Sequence, residues 1–466
     1  MTISLYPHQE KFIVDIREAL RSKQAVLGQA STGFGKTCCV ASIAKSASAK
    51  GKRVLFTVHR KDLLRQTSNT FKEFDIHHGV IATGQRPNPF APVQIASIQT
   101  LQNRLDSQPF FDLVIPDEAH LSAAEGQKKV LLHFKKQGSK LVGLTATPER
   151  LSGEGLNDIF DTMVQGPSMA WLIKHGYLSD YKIYAPSQPD LTGVHTRMGD
   201  YINSELESAM NKPFITGNAI SHYQKHAAGK RALAFCISIK HSQHVADQFR
   251  NAGIMAVHID GETKHEDRVK AFRAFAKRDI QVITSVALFC EGFDLSSQIG
   301  QEVPIEATIS LRPTQSLALD LQQKGRGLRR KPYPAIILDH SGNTLRHGLP
   351  DDERDWTLEG KKRSKKDKNE VAVRQCPKCF AVHRPLPVCP SCGFVYEVKG
   401  RPDIEVVDGE LQELDKDAMR RKRFKEQSKA QTIDELVALA KARGYKSPMA
   451  WAGYIFTARQ AKRGVR

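Results

Sequence analysis

Short apolar runs alternating with amphipathic stretches constrain this chain more than any other feature, because that rhythm builds parallel sheets covered by helices. Val54–Val58, Val93–Ser97, Leu113–Ile115 and Leu141–Leu144 read as buried strands, with amphipathic segments such as Lys61–Phe74 between them. The pattern restarts after Leu178, at Ala232–Cys236, Met255–His258, Gln281–Thr284, Thr308–Leu311 and Ala335–Leu338. Two successive α/β domains fit this better than one large sheet. Their boundary is expected near residue 165, giving domains over 1–165 and 166–350. The length of 466 residues allows a third unit, since a domain takes about 150 residues.

That third part differs in character. Residues 354–466 hold 26 Lys+Arg against 15 Asp+Glu, more than half of the formal charge of +19. A basic linker is expected over 351–371, around Lys361–Lys368, then a cysteine module over 372–398 and a basic helical region over 399–466. In the last, Thr432 and Glu435 form a capping box. Ser447-Pro448 opens a second helix, whose Trp451, Tyr454, Ile455 and Ala458 make an apolar stripe.

With 40% hydrophobic and 26% charged residues the composition is globular, which excludes a mostly disordered chain. No apolar run approaches the ~18–20 residues that a membrane-spanning helix needs. Glu10, Lys11, Asp15 and Glu18 interrupt the N-terminal apolar residues, so a signal-peptide core is lacking. These features predict a cytoplasmic protein, in a bacterium or a phage-infected host. The positive excess favours a polyanionic partner, nucleic acid first, and no membrane.

Three blocks carry chemistry. Ala30-Ser-Thr-Gly-Phe-Gly-Lys-Thr37 follows the apolar Ala25–Leu27 and precedes a helical pattern, the setting of a phosphate loop. Gly33 and Gly35 let the backbone around Thr32 turn its N–H groups inward. Lys36 can neutralise phosphates, and the Thr37 hydroxyl can hold Mg²⁺. Asp117-Glu118-Ala119-His120 follows a strand, where Asp117 can bind Mg²⁺ and Glu118 can polarise an attacking water. Pro116 must sit at a strand end or bend. Gln322-Gln-Lys-Gly-Arg326-Gly-Leu-Arg329 puts two arginines on one helical face. They suit charge developing on a phosphate, or alternatively a solvated basic face.

Together these blocks resemble the superfamily 2 DEAD/DEAH-box helicases and translocases. Leu5-Tyr-Pro-His-Gln9 is similar to the Q-motif, Val58-His-Arg60 to motif Ia and Ser97-Ile-Gln-Thr100 to motif Ib. Leu144-Thr-Ala-Thr-Pro148 is similar to motif III, Phe235-Cys-Ile-Ser238 to motif IV, Glu291-Gly-Phe-Asp294 to motif V and the Gln322 block to motif VI. The resemblance implies two tandem RecA-like domains with ATP between them. Gln9 would read adenine, Asp294 would join the nucleotide site, and Gln322, Arg326 and Arg329 would act on the phosphates. Arg60, His120, Thr145, Thr147 and Gly292 would couple hydrolysis to the nucleic acid.

Thr145-Ala-Thr147 and the Gln322 block depart from the Ser-Ala-Thr and His-Arg-x-Gly-Arg of RNA-acting DEAD-box members. Ile173–Leu178, Leu311–Ser316 and Ile337–Asn343 are similar to RadD-type bacterial repair helicases and their prophage relatives. The resemblance therefore implies an ATP-dependent DNA helicase or translocase in repair, recombination or phage replication, with DNA preferred over RNA. Protein partners would meet the C-terminal region. The competing classes are an RNA helicase, an ATP-gated DNA-binding scaffold, and the motor subunit of a restriction-type complex.

Cys376-x-x-Cys379 and Cys389-x-x-Cys392 place four thiolates in one short segment. Two such knuckles can surround a structural Zn²⁺ tetrahedrally, with no open position for catalysis. The module either binds DNA or docks against the motor. The remaining thiols, Cys38, Cys39, Cys236 and Cys290, read as buried and reduced.

Overall fold

The structure, a computed structural model, describes residues 4–463 except 60, 124, 149–154, 186–188, 190, 198–199, 211–212, 287, 290–294, 361–372, 397–424 and 444–446. Arg60, Cys290, Gly292 and Asp294, and the basic run 361–368, therefore lie outside the described residues. The chain divides into two compact units, 1–397 and 398–466.

The first unit is built on two sheets. The first lobe holds β1 (Ala25–Gln29), β2 (Val54–Val58), β3 (His78–Ile81), β4 (Val93–Ser97), β5 (Leu113–Pro116), β6 (Lys140–Thr145) and β7 (Thr162–Gln165). They lie in the order β3-β4-β2-β5-β6-β1-β7, all parallel. Strands β1, β2 and β4 are buried at every position, as continuous apolar runs in a two-sided parallel sheet must be. Pro116 closes β5 as its last residue, so its missing N–H costs the ladder little.

The second lobe holds β8 (Tyr181–Tyr184), the small hairpin β9 (Thr196–Arg197) and β10 (Asp200–Tyr201), β11 (Ala232–Phe235), β12 (Ala256–His258), β13 (Val282–Ser285), β14 (Ala307–Ser310) and β15 (Ala335–Asp339). Strands β16 (Arg374–Gln375) and β17 (Ala381–His383) come from the cysteine segment. The larger sheet runs β12-β13-β11-β14-β15-β8-β17-β16. Strand β17 pairs antiparallel with β8, so the cysteine ribbon extends the sheet of the second lobe. Cys376 and Cys389 are buried in the same apolar cluster as Tyr184, Ile309 and Leu338. The ribbon docks against the second lobe.

After the second lobe the chain crosses back. Arg354 is fixed there by donating to the carbonyls of His347, Leu349, Pro350 and Asp352. Four residues later Leu358 is buried among Leu156, Ile159 and Phe160 of the first lobe. Its carbonyl accepts from the N–H groups of Leu156 (2.7 Å) and Asn157 (3.1 Å). Gly155 leaves room for this, because a Cβ there would stand 1.8 Å from the Leu358 oxygen. Four extended residues reach at most about 14 Å, so this strap limits how far the lobes part on that side.

In the second unit, helices Ile433–Ala442 and Pro448–Arg463 pack on each other. The expected Thr432/Glu435 capping box is present. The apolar stripe is corrected: Tyr454 is 73% exposed, while Leu436, Ala440 and Ala452 are buried. Small alanines let the helices close, and the bulky tyrosine stays outside.

Leu358→Ala should lower the stability of the first lobe by about 2–3 kcal/mol, the cost of a cavity at a buried leucine. Calorimetry of the purified protein checks this, and Gly155→Ala should act in the same direction by displacing the strap.

Candidate active site

The phosphate loop leaves the carboxyl end of β1, where an α/β sheet presents its ligands. Gly33 and Gly35 have φ of +85° and +92°, left-handed values that favour glycine. The loop is held from three sides. The Ala30 N–H donates to the Thr145 carbonyl at 2.9 Å, and Gln29 Nε2 donates to the Ala146 carbonyl at 3.0 Å. Gln9 Nε2 donates to the Phe34 carbonyl at 2.7 Å, while its Oε1 accepts from the Tyr6 N–H at 2.9 Å. Gln9 thus spends one donor and one lone pair on the loop and its own helix start. Leu178, from the segment joining the lobes, lies so close to Gly33 that a Cβ there would meet it at 2.6 Å.

Asp117 and Glu118 follow β5. Glu118 has φ of +45°, a left-handed conformation that costs a residue with a side chain roughly 1–2 kcal/mol. The N–H of Glu118 donates to Asp117 Oδ1 at 3.1 Å. His120 Nδ1 lies 3.4 Å from Glu118 Oε2 and 3.2 Å from Thr145 Oγ1. Thr145 Oγ1 donates its own hydrogen to the Thr147 carbonyl at 2.8 Å and accepts the Thr147 N–H at 3.1 Å. His120 must therefore be the donor to Thr145, with its proton on Nδ1. His120 thus stands between Glu118, at ion-pair distance, and the hydrogen-bonded Thr145 and Thr147.

The second lobe enters through helix Leu317–Gly327. Gln322 and Arg326, four residues apart, share one face, and Asp320 and Lys324 share the opposite one. Lys324 Nζ meets Asp320 Oδ2 at 2.6 Å with both side chains almost wholly buried, which fixes the rotation of the helix. Gly325 lies against the phosphate loop, where a Cβ would stand 2.3 Å from Thr32 Cγ2. Gln322 is buried, and its Nε2 lacks a hydrogen-bond partner among the described residues. Arg329 departs from the expected shared face: the helix ends at Gly327, and Arg329 is exposed, its backbone bridged to Leu178.

Electrostatics tie the two lobes together. Burial lowers the pKa of the Lys36 ammonium, the carboxylates of Glu118 and Asp117 oppose that, and the Arg326 charge adds to it. Lys36 Nζ rests 3.2 Å from the Ala30 carbonyl. Burial and the neighbouring Glu118 charge push Asp117 above the usual carboxylate range. Burial also acts on Glu118, but His120, Lys36 and Arg326 outweigh it and hold Glu118 below that range. Thr37 is exposed in the first turn of helix Lys36–Ser48. A left-handed glycine cradle, Lys36, paired carboxylates, an orphaned Gln322 amide and Arg326 fit a polyphosphate with a divalent cation.

Ser97, Gln99 and Thr100 line a separate cavity of about 280 Å³ with Arg65, Thr83 and Gln85. In the ribbon, Cys376 and Cys392 sulfurs are 3.7 Å apart, as are those of Cys379 and Cys389, and all four lie within 4.8 Å of one another. Sulfurs about 2.3 Å from one tetrahedral zinc are separated by about 3.8 Å, so the donor set fits. Each knuckle closes on a left-handed residue, Phe380 and Gly393. Sequence reasoning gave no role to Phe34, Leu178 or Leu358. Leu178 sat in a noted stretch but had no chemical group to mark it.

Two family models match the chain. One, described as "Type III restriction enzyme, res subunit", matches residues 2–150, and "Helicase conserved C-terminal domain" matches residues 216–331. A 51.5 kDa protein of a Lactococcus phage is 35% identical over 89% of this chain and 88% of its own length. The putative ATP-dependent helicase IRC3 of Saccharomyces cerevisiae is 28% identical over 59% of this chain, which spans only 41% of that protein. Among solved structures, the DNA-bound ATP-dependent Type ISP restriction-modification enzyme LlaBIII matches with a TM-score of 0.52 at 18% identity. That match covers 72% of this chain and 28% of the other.

Gly325→Ala should keep the fold, read by circular dichroism, yet lower ATP turnover at least about tenfold by pushing the helix off Thr32. Steady-state hydrolysis measures the loss.

Proposed function

We propose that this chain, which belongs to the superfamily 2 helicases and is an ATPase of that kind, moves along DNA and does so by closing its two lobes on ATP. The single observation that carries the reading is the second-lobe helix of Gln322 and Arg326 seated on the phosphate loop, with Gly325 against Thr32 and the Arg326 charge acting on Lys36 and Glu118 of the first lobe. Lys36 neutralises the β- and γ-phosphates. Glu118, kept ionised, orients the attacking water and takes up its proton. Arg326, and Gln322 four residues before it, meet the charge that develops on the transferred phosphoryl group. Gln9 retains a donor and a lone pair for the adenine edge. A divalent cation held by Thr37 and Asp117 supplies further positive charge at the phosphate oxygens.

His120, Thr145 and Thr147 carry the state of Glu118 towards the strand that also supports the phosphate loop. Arg60, Gly292 and Asp294 keep the roles that the family resemblance implies. The cavity lined by Ser97, Gln99 and Thr100 offers hydroxyl and amide donors to a nucleic-acid backbone. The likeness to restriction-enzyme motors and the motif III and VI residues favour DNA over RNA. That likeness also supports a second reading, the motor subunit of a restriction-type complex, in which a partner would supply cleavage. Cys376, Cys379, Cys389 and Cys392 hold a structural Zn²⁺. We place the protein's work in the cytoplasm, in repair, recombination or phage replication, with protein partners meeting the C-terminal region.

Lys36→Ala and Glu118→Gln should abolish DNA-stimulated hydrolysis while DNA binding survives, and Arg326→Ala should cut hydrolysis by at least about 10³-fold while nucleotide binding persists. Parallel assays with single-stranded, duplex and branched DNA and with RNA test the substrate, and equal stimulation by RNA would overturn the DNA preference. Chelation, or Cys376→Ser, should release one zinc per chain and lower the unfolding temperature of the first unit. Unchanged melting would contradict a structural metal.

A further inference from the structure

The lysines of helix Glu125–Lys136 have two different fates. Lys128 pairs with Asp158 at 2.6 Å and Lys135 with Asp161 at 2.7 Å. Lys129, His133 and Lys136 lie on the neighbouring stripe, four and then three residues apart. Lys129 and Lys136 are exposed and form no ion pair among the described residues. With Arg104 and Asp106 they line a groove of about 810 Å³ on the first lobe. Loop and helix are fitted to each other, since a Cβ at Gly126 would stand 2.2 Å from Gln102 Oε1. The groove and the cavity above are neighbours along the chain: Thr100 lines the cavity, and Gln102, two residues on, lines the groove.

Arg104, Lys129 and Lys136 share the lining with one carboxylate, Asp106, so the charged lining is net positive, and the two lysines form no ion pair among the described residues. Lys129 and Lys136 stand about 10 Å apart along the helix axis, and flexible lysines at that spacing reach phosphates one or two nucleotides apart. Contacts of this kind position a strand without reading its sequence.

We propose that this groove binds the sugar-phosphate backbone of the same strand that passes Ser97–Thr100, giving the first lobe a second phosphate-binding surface. The proposal rests on the reading of the chain as a nucleic-acid motor. Its occupant is a single strand extended beyond the cavity.

The test compares wild type, Lys129→Glu/Lys136→Glu and a control pair, Lys50→Glu/Lys277→Glu, exposed positions away from the groove with the same change in net charge. Anisotropy is read with a long strand and with one trimmed to the minimum that stimulates hydrolysis. The groove variant should bind the long strand about tenfold more weakly, with a salt slope reduced by about 1.4 for two lost contacts. Its affinity for the trimmed strand and its basal hydrolysis should match the control pair. If groove and control variants bind the long strand equally, the groove proposal falls while the motor stands. If wild type shows no nucleic-acid stimulation at all, the motor reading itself fails and takes the groove with it.

Discussion

Two cations from different lobes, Lys36 and Arg326, are close enough for their charges to act on each other, and both act on the Glu118 carboxylate. The Arg326 charge disfavours the Lys36 ammonium. A polyphosphate between the two would attract both cations and outweigh their mutual repulsion. On the proposed reading, lobe closure and nucleotide binding are one event, and loss of the γ-phosphate would remove part of the attraction. The close approach of Gly325 to Thr32 and the buried Lys324–Asp320 pair serve this arrangement by fixing where Arg326 points.

The chain laces the lobes together more than a two-domain motor requires. It crosses from the first lobe to the second before β8, returns at Leu358, and is back in the second sheet at β16. The second return opens the cysteine ribbon, whose β17 is an added strand of that sheet. Arg384 of the ribbon meets Asp351 and Asp352 at 3.2 and 3.1 Å, at the root of the strap. A metal held by the four cysteines would stiffen the sheet edge and the anchor of the strap together, which supports a mechanical role for the ribbon.

Local signals in the sequence located most of the site. Gly33 and Gly35 announce a left-handed loop, two CxxC knuckles announce a tetrahedral donor set, and Thr432 with Glu435 announces a helix start. Long, wholly buried runs such as Val54–Val58 were visible as strands. Features set by distant contacts were not visible. Strand β8 carries an exposed lysine, Lys182, and β16 has only two residues, so neither has a periodicity to read. Arg329 leaves the expected face because the helix stops at Gly327, close against Thr308 and Ala335, and the following backbone pairs with Leu178. Leu358 was one apolar residue in a stretch expected to be a linker. Its burial depends on Gly155, two hundred residues away.

The most direct test of the central claim is the distance between the lobes. Fluorophores on the first and second lobes of the full chain would report it with and without a non-hydrolysable ATP analogue, in the presence of DNA. The account predicts that the analogue shortens the distance in wild type and fails to do so in Arg326→Ala, although the variant still binds nucleotide. An equal shortening in both proteins would contradict the claim that Arg326 lets the nucleotide draw the lobes together.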